Sequence, residues 1–221
     1  MIEKDLLKFL KTLKANNDRD WFNANKPVFK SHEADAKAFF KEAHEKLALI
    51  DQIEGHKLMR IYRDVRFSKD KTPYKPRFAG SFSRSTAALR GSYYLNIEPG
   101  NSIVGGGFYG PNTDDLKRIR QEFEMDDTEI RAILNDKKFK ATFGELRGEG
   151  LKTAPRGFDP ENKAIDLIRK KQFYVIREFT DKEVLQEDFI EKVVETCQVI
   201  LPYFDYMSSV LTTNSNGESI L

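Results

Sequence analysis

The period of the hydrophobic pattern changes along this chain, and that change limits the fold more than any other feature. Leu6, Leu7, Leu10 and Leu13 recur at helical spacing with lysines opposite them, the stripe of an amphipathic helix. Asn16-Asn17-Asp18 ends that stripe and supplies caps for a second helix opening at Trp21-Phe22. After Pro27, a longer stripe carries Phe29, Ala36, Phe39, Phe40, Ala43, Leu47 and Ile50 on its inner side. In the middle the period falls to two. Tyr93, Leu95 and Ile97 alternate with Tyr94, Asn96 and Glu98. Pro99-Gly100-Asn101 then turns the chain, and residues 102–109 return as the partner strand of a hairpin.

Further strands are expected at 58–64, 77–83 and 172–179. Helices are expected from about 114 and 127, and from Asp159-Pro160 to about 171, with Asp at the N-cap and Pro at the first helical position. Thr180-Asp181-Lys182-Glu183 is a capping box, with helix filling most of the stretch to about 211. The strand at 172–179 has no strand neighbour in sequence, so it should join the central sheet. The fold class is therefore α+β, a single domain with a mostly antiparallel central sheet of about five strands and helices from both chain ends packed on it. Its expected extent is 1–211, with 212–221 a polar, flexible tail.

The chain has 221 residues, 39% of them hydrophobic and 17 of them Phe, enough to fill a core of that size. A single cysteine, Cys197, excludes a disulfide framework and a Cys-based zinc site. Its apolar neighbours Val193, Val194, Ile200 and Leu201 mark it as a buried thiol. The N-terminal residues lack a signal-peptide core, and no apolar run reaches the ~18 residues of a membrane span. A cytoplasmic protein with no membrane partner is expected.

Charge is distributed unevenly. Residues 57–90 hold ten basic residues (among them Lys57, Lys71, Arg84 and Arg90) and two acids, a local charge of +8 in a chain whose total is +2. A near-neutral protein with one such segment has a local field whatever its total charge. Tyr62, Phe67, Tyr74, Phe78 and Phe82 are interleaved with the charges. Arginine forks match phosphate oxygens, and rings or guanidinium planes stack on bases. The candidate ligand-binding residues are Arg60, Arg63, Asp64, Arg66, Lys69, Tyr74, Lys75 and Arg77, with Tyr109 from the hairpin. A solvated strand face with Asp64 and Asp70 pairing their basic neighbours describes the same residues. On strand alternation Arg60, Tyr62, Asp64 and Arg66 share one face, and Ile61, Arg63 and Val65 the other. If that second face is the core face, Arg63 is either a structural ion-pair partner or the innermost cation of an anion site.

The block Asn16-Asn17-Asp18-Arg19-Asp20-Trp21-Phe22 and the longer block Arg60-Ile61-Tyr62-Arg63-Asp64-Val65-Arg66-Phe67-Ser68-Lys69-Asp70-Lys71-Thr72-Pro73-Tyr74-Lys75 resemble the domain-of-unknown-function family 2461. The tyrosine-rich hairpin, the stretch at 105–111 and the stretch at 151–160 look like later blocks of the same family. The resemblance implies a single bacterial-type cytoplasmic domain of about this length. It implies no activity, cofactor or catalytic residue.

Other chemistry is sparse. His32, His44 and His56 include no i, i+4 pair, so no metal ligand set is expected. Gly105-Gly106-Gly107 lacks a following Gly-Lys-Ser/Thr and is not a P-loop; a bulge or close packing explains it, with ligand approach to the backbone the lesser reading. Trp21 is expected in the core. Two function classes follow. One is binding of a phosphorylated small molecule or nucleic acid by the basic segment. The other is a protein-interaction module whose basic loop meets an acidic protein partner. The sequence does not decide whether catalysis accompanies binding; Asp64, Tyr74 and Tyr109 are the titratable candidates, and no cofactor is specified.

Overall fold

The computed structural model describes residues 1–214 and 216–221. Three helices open the chain: α1 (Lys4–Ala15), α2 (Arg19–Ala24) and α3 (Lys26–Leu47). Asp18 caps α2 by accepting from the Trp21 amide at 2.8 Å, and Pro27 lies in the first turn of α3, where its missing N–H costs nothing. Four strands follow: β1 (Ile53–Leu58), β2 (Phe78–Arg84), β3 (Ser92–Ile97) and β4 (Ser102–Phe108). Then come α4 (Thr113–Met125), α5 (Thr128–Asn135), α6 (Lys137–Phe143), α7 (Ile165–Ile168), β5 (Phe173–Phe179), α8 (Asp181–Val184) and α9 (Phe189–Thr212).

The five strands among the described residues form one antiparallel sheet in the order β1-β2-β3-β4-β5, with helices from both chain ends packed on it. This is the α+β architecture read from the periodicity. The β3–β4 hairpin turns at Gly100, whose φ of 74° suits a residue without Cβ. Ser102 closes the turn, its hydroxyl donating to the Glu98 carbonyl at 2.9 Å. The Thr180–Glu183 capping box is present at α8.

Two elements and one core residue differ from the reading of the sequence. The first strand is 53–58, not 58–64. After Met59, whose amide donates to the Ala79 carbonyl, the chain leaves the sheet. The helix expected over 159–171 is reduced to α7. Asp159 and Asn162 instead form side-chain turns, accepting from the Glu161 and Ala164 amides, the local competition by which these residues oppose helix. Trp21 is half-buried, with its ring 5.8 Å from that of Phe9, while the adjacent Phe22 takes the core position. Helix α9 ends at Thr212, and beyond it Thr213 bridges Ser219; position 215, within the expected tail, lies outside the described residues.

By contact density the chain divides into two compact units. One comprises Met1–Phe82, Tyr94–Val104 and Glu178–Glu195. Its core is aromatic: Phe40 stacks on Phe82, Phe29 on Phe78 and Phe39 on Phe189, all with centroids under 6 Å apart. The other comprises Ser83–Tyr93, Gly105–Arg177 and Thr196–Leu221. There Tyr93, Phe123, Phe173, Tyr203 and Phe204 are fully buried, and the Tyr203 hydroxyl donates to the Phe173 carbonyl at 2.9 Å. Cys197 is buried in this unit.

Candidate functional site

The basic segment leaves the sheet because its own prolines and a side-chain anchor hold it elsewhere. Pro73 and Pro76 restrict the returning arm. The two arms pair only at Tyr62 and Tyr74, where Arg63 N–H donates to the Pro73 carbonyl and Lys75 N–H to the Ile61 carbonyl, both at 2.8 Å. Asn17, between α1 and α2, grips the Tyr74 backbone through two hydrogen bonds. The Tyr74 ring stacks on Phe22, with centroids 4.0 Å apart. Ile61 and Tyr74 are thus buried, and the segment becomes a short ribbon pinned to the N-terminal helices. The two sequence blocks that resemble one family are in contact.

Several cations of the segment already have partners. Arg63 donates to the Asp70 carboxylate and to the Thr72 hydroxyl. Asp70 also accepts from the Thr72 amide and hydroxyl at 2.9 and 2.8 Å. The Arg63 side chain retains 26% exposure, so it is only partly directed inward. The Arg63 bond, with Thr72 beside it, holds the Asp70 carboxyl down to about 2. Arg66 forks onto Asp64, Nε to Oδ1 at 3.0 Å and the terminal nitrogen to Oδ2 at 2.7 Å. This pairing depresses the Asp64 carboxyl and raises the guanidinium. Lys71 caps the Val65 carbonyl at 2.9 Å. Arg84 and Arg90, counted in the same charged segment, serve the other unit. Arg84 is buried on Asp205 and Ser208, and Arg90 pairs Asp115.

A smaller group remains. Lys75 is half-buried and makes no ion pair among the described residues, and burial lowers its ammonium, with Arg77, Arg60 and Arg63 adding to the effect in that order. Arg60 and Lys69 are exposed, also without an ion pair among the described residues. Arg77 meets Glu98 only at 3.9 Å. Tyr94 lies beside Arg77 and Glu98, and burial raises its hydroxyl. Three of the expected residues, Arg77, Arg60 and Arg63, therefore act electrostatically on Lys75. Tyr74 supports them through its ring and backbone, and burial raises its hydroxyl. Tyr109 belongs to the other unit, its ring 5.4 Å from that of Tyr174.

Sequence reasoning passed over Asn17, Thr72, Tyr94 and Glu98. Tyr94 and Glu98 do share a strand face by alternation, which was a usable signal. Asn17 had none beyond its place in the block Asn16-Asn17-Asp18-Arg19-Asp20-Trp21-Phe22. At the tip of the ribbon Phe67 is 95% exposed, with the Arg66 guanidinium 5.9 Å from its ring centroid. No group of three or more His, Cys, Asp or Glu converges as a metal site among the described residues, and none of their helices is long and apolar enough to cross a membrane.

These features define an α+β protein with an antiparallel sheet and a basic ribbon held against its N-terminal helices. Residues 5–206 match the family described as Conserved hypothetical protein (DUF2461), and the chain belongs to that family. Searches of curated proteins and of solved structures find no match.

Proposed function

We propose that the protein binds a phosphate-bearing ligand at the cations around Lys75, acting as a cytoplasmic protein. The supporting observation is that Lys75 is half-buried without a carboxylate of its own while Arg77, Arg60 and Arg63 press on its charge. Like charges gathered in partial burial destabilise one another, and an anion seated among them removes that cost. Arg60 and Lys75 are the direct contacts, Arg77 exchanges its loose Glu98 contact for the ligand, and Arg63 positions the ribbon through Asp70. Arg66 is set aside, because Asp64 already occupies its fork.

Thermal shift with inorganic phosphate, polyphosphate, a mononucleotide and single-stranded DNA tests this. A ligand that binds only the folded chain raises Tm by mass action, by about 2.7 kcal/mol of added stability at a hundredfold excess over Kd. Arg60→Ala with Lys75→Ala removes the rise while leaving the ligand-free Tm nearly unchanged, and Arg66→Ala keeps it. A steep salt dependence identifies nucleic acid, and a shallow one a small ligand. If no anion at millimolar concentration shifts Tm, the reading fails.

One observation favours a second reading. Phe67 is almost fully exposed at the tip of a basic loop, a geometry that suits an aromatic anchor entering an acidic protein partner. Phe67→Ala separates the two: it abolishes capture by such a partner and leaves phosphate binding intact.

A further inference from the structure

We propose that His44 and His56 form a two-imidazole site for a borderline divalent transition-metal ion, of the class of Zn²⁺, Ni²⁺ or Cu²⁺. Twelve residues separate them in sequence, but the fold brings them together. His44 projects from α3 beside the buried Ala43 and Leu47, and His56 from β1 within 6.1 Å of the Phe82 ring. Helix α3 packs on β1, so both ligands stand on rigid elements rather than on loops.

The two Nδ1 atoms face each other at 3.1 Å, with ring centroids 5.0 Å apart and planes inclined at 54°. Without a metal, one Nδ1 must carry a proton and donate it to the other. A metal ion takes the place of that proton. At metal–nitrogen bonds of about 2.0–2.1 Å, donors this far apart subtend about 98° at the ion. That lies between a square-planar and a tetrahedral angle, so the nitrogen separation needs to change by only a few tenths of an ångström, while both rings turn to aim their lone pairs at an ion lying off the line between them. As no third His, Cys, Asp or Glu joins the pair among the described residues, the rest of the coordination sphere falls to water and stays open to an exogenous ligand.

Calorimetric titration of Zn²⁺ and Ni²⁺ into the tag-free chain at neutral pH tests the site, with an electron paramagnetic resonance spectrum of the Cu²⁺ adduct. One equivalent should bind in the micromolar range. His44→Ala and His56→Ala should each weaken it at least tenfold, while His32→Ala leaves it unchanged. The copper spectrum should show coupling to two imidazole nitrogens. Binding that survives both substitutions, or no binding below millimolar concentration, overturns the proposal. If either variant melts below the parent, the parent's copper spectrum decides: two nitrogens uphold the site, one or none removes it.

Discussion

Asn17 and Tyr74 form a reciprocal pair: the Asn17 amide nitrogen donates to the Tyr74 carbonyl at 2.9 Å, and its oxygen accepts from the Tyr74 amide at 3.0 Å. One side chain thereby satisfies both backbone groups of a buried residue, much as a neighbouring strand would. Position 74 lies 57 residues from position 17, so this contact, with the Phe22 ring stacked on Tyr74, ties the basic ribbon to the N-terminal helices.

Asn17→Ala should leave a part-buried N–H and C=O without partners and cost about 1–3 kcal/mol. Urea unfolding measures the loss. Hydrogen exchange should show faster exchange at Arg63 and Lys75, the amides that pair across the ribbon. Wild-type protection at those two amides would refute the anchor.

The Arg63–Asp70 clamp should respond to acid. The Asp70 carboxyl is depressed to about 2, from an unfolded value near 3.9. A depressed carboxyl stabilises the folded ribbon above the unfolded value, and that contribution fades as pH falls through about 2. A carboxyl NMR titration should place the Asp70 midpoint near 2. Arg63→Ala should return it toward the ordinary range, and high salt should do so in part because Asp70 is exposed.

Arg84 carries a different burden from its neighbours in the charged segment. Its side chain is 2% exposed, bonded to Asp205 at 2.9 Å and to Ser208, and its guanidinium lies 5.5 Å from the Phe204 ring centroid. Arg84→Ala should cost about 2–5 kcal/mol through lost packing and lost charge-assisted bonds. Arg84→Met should recover part of this, since Asp205 is 65% exposed and resolvates once released. Denaturant midpoints for the two variants rank them.

Gly105 and Gly107 of β4 lie hard against neighbouring backbone. A Cβ on Gly105 would lie 2.1 Å from the Val175 carbonyl oxygen, whereas one on Gly110 meets nothing within 4 Å. Gly105→Ala should therefore cost about 3 kcal/mol or more, and Gly110→Ala should stay within about 0.5 kcal/mol. Equal melting temperatures for the two variants would contradict this account.

Four strands were legible, most plainly where Tyr93, Leu95 and Ile97 alternate. The first was not, for a physical reason. Ile53-Glu54-Gly55-His56-Lys57-Leu58 carries apolar residues only at its ends, while Ile61-Tyr62-Arg63 alternates well and yet pairs with Tyr74 outside the sheet. The helix expected over 159–171 was drawn too long because the Asp159 and Asn162 side chains turn the chain locally and leave only α7. At the site, sequence located the charged segment but not its internal pairing. Which arginine a carboxylate takes depends on turn geometry, which gave Asp64 to Arg66 and Asp70 to Arg63.

Because the strands lie in the sheet in the order in which they occur in the chain, synthesis on the ribosome and assembly of the sheet run in the same direction. Strands β1 to β4 can pair as soon as they emerge. The fifth follows only after α4 to α7 have been translated, a delay of several seconds at ordinary elongation rates. Throughout that interval the glycine-lined edge of β4 is bare, an unpaired ladder open to any other extended segment. A bare edge of that kind favours aggregation, and the arrival of residues 173–179 covers it.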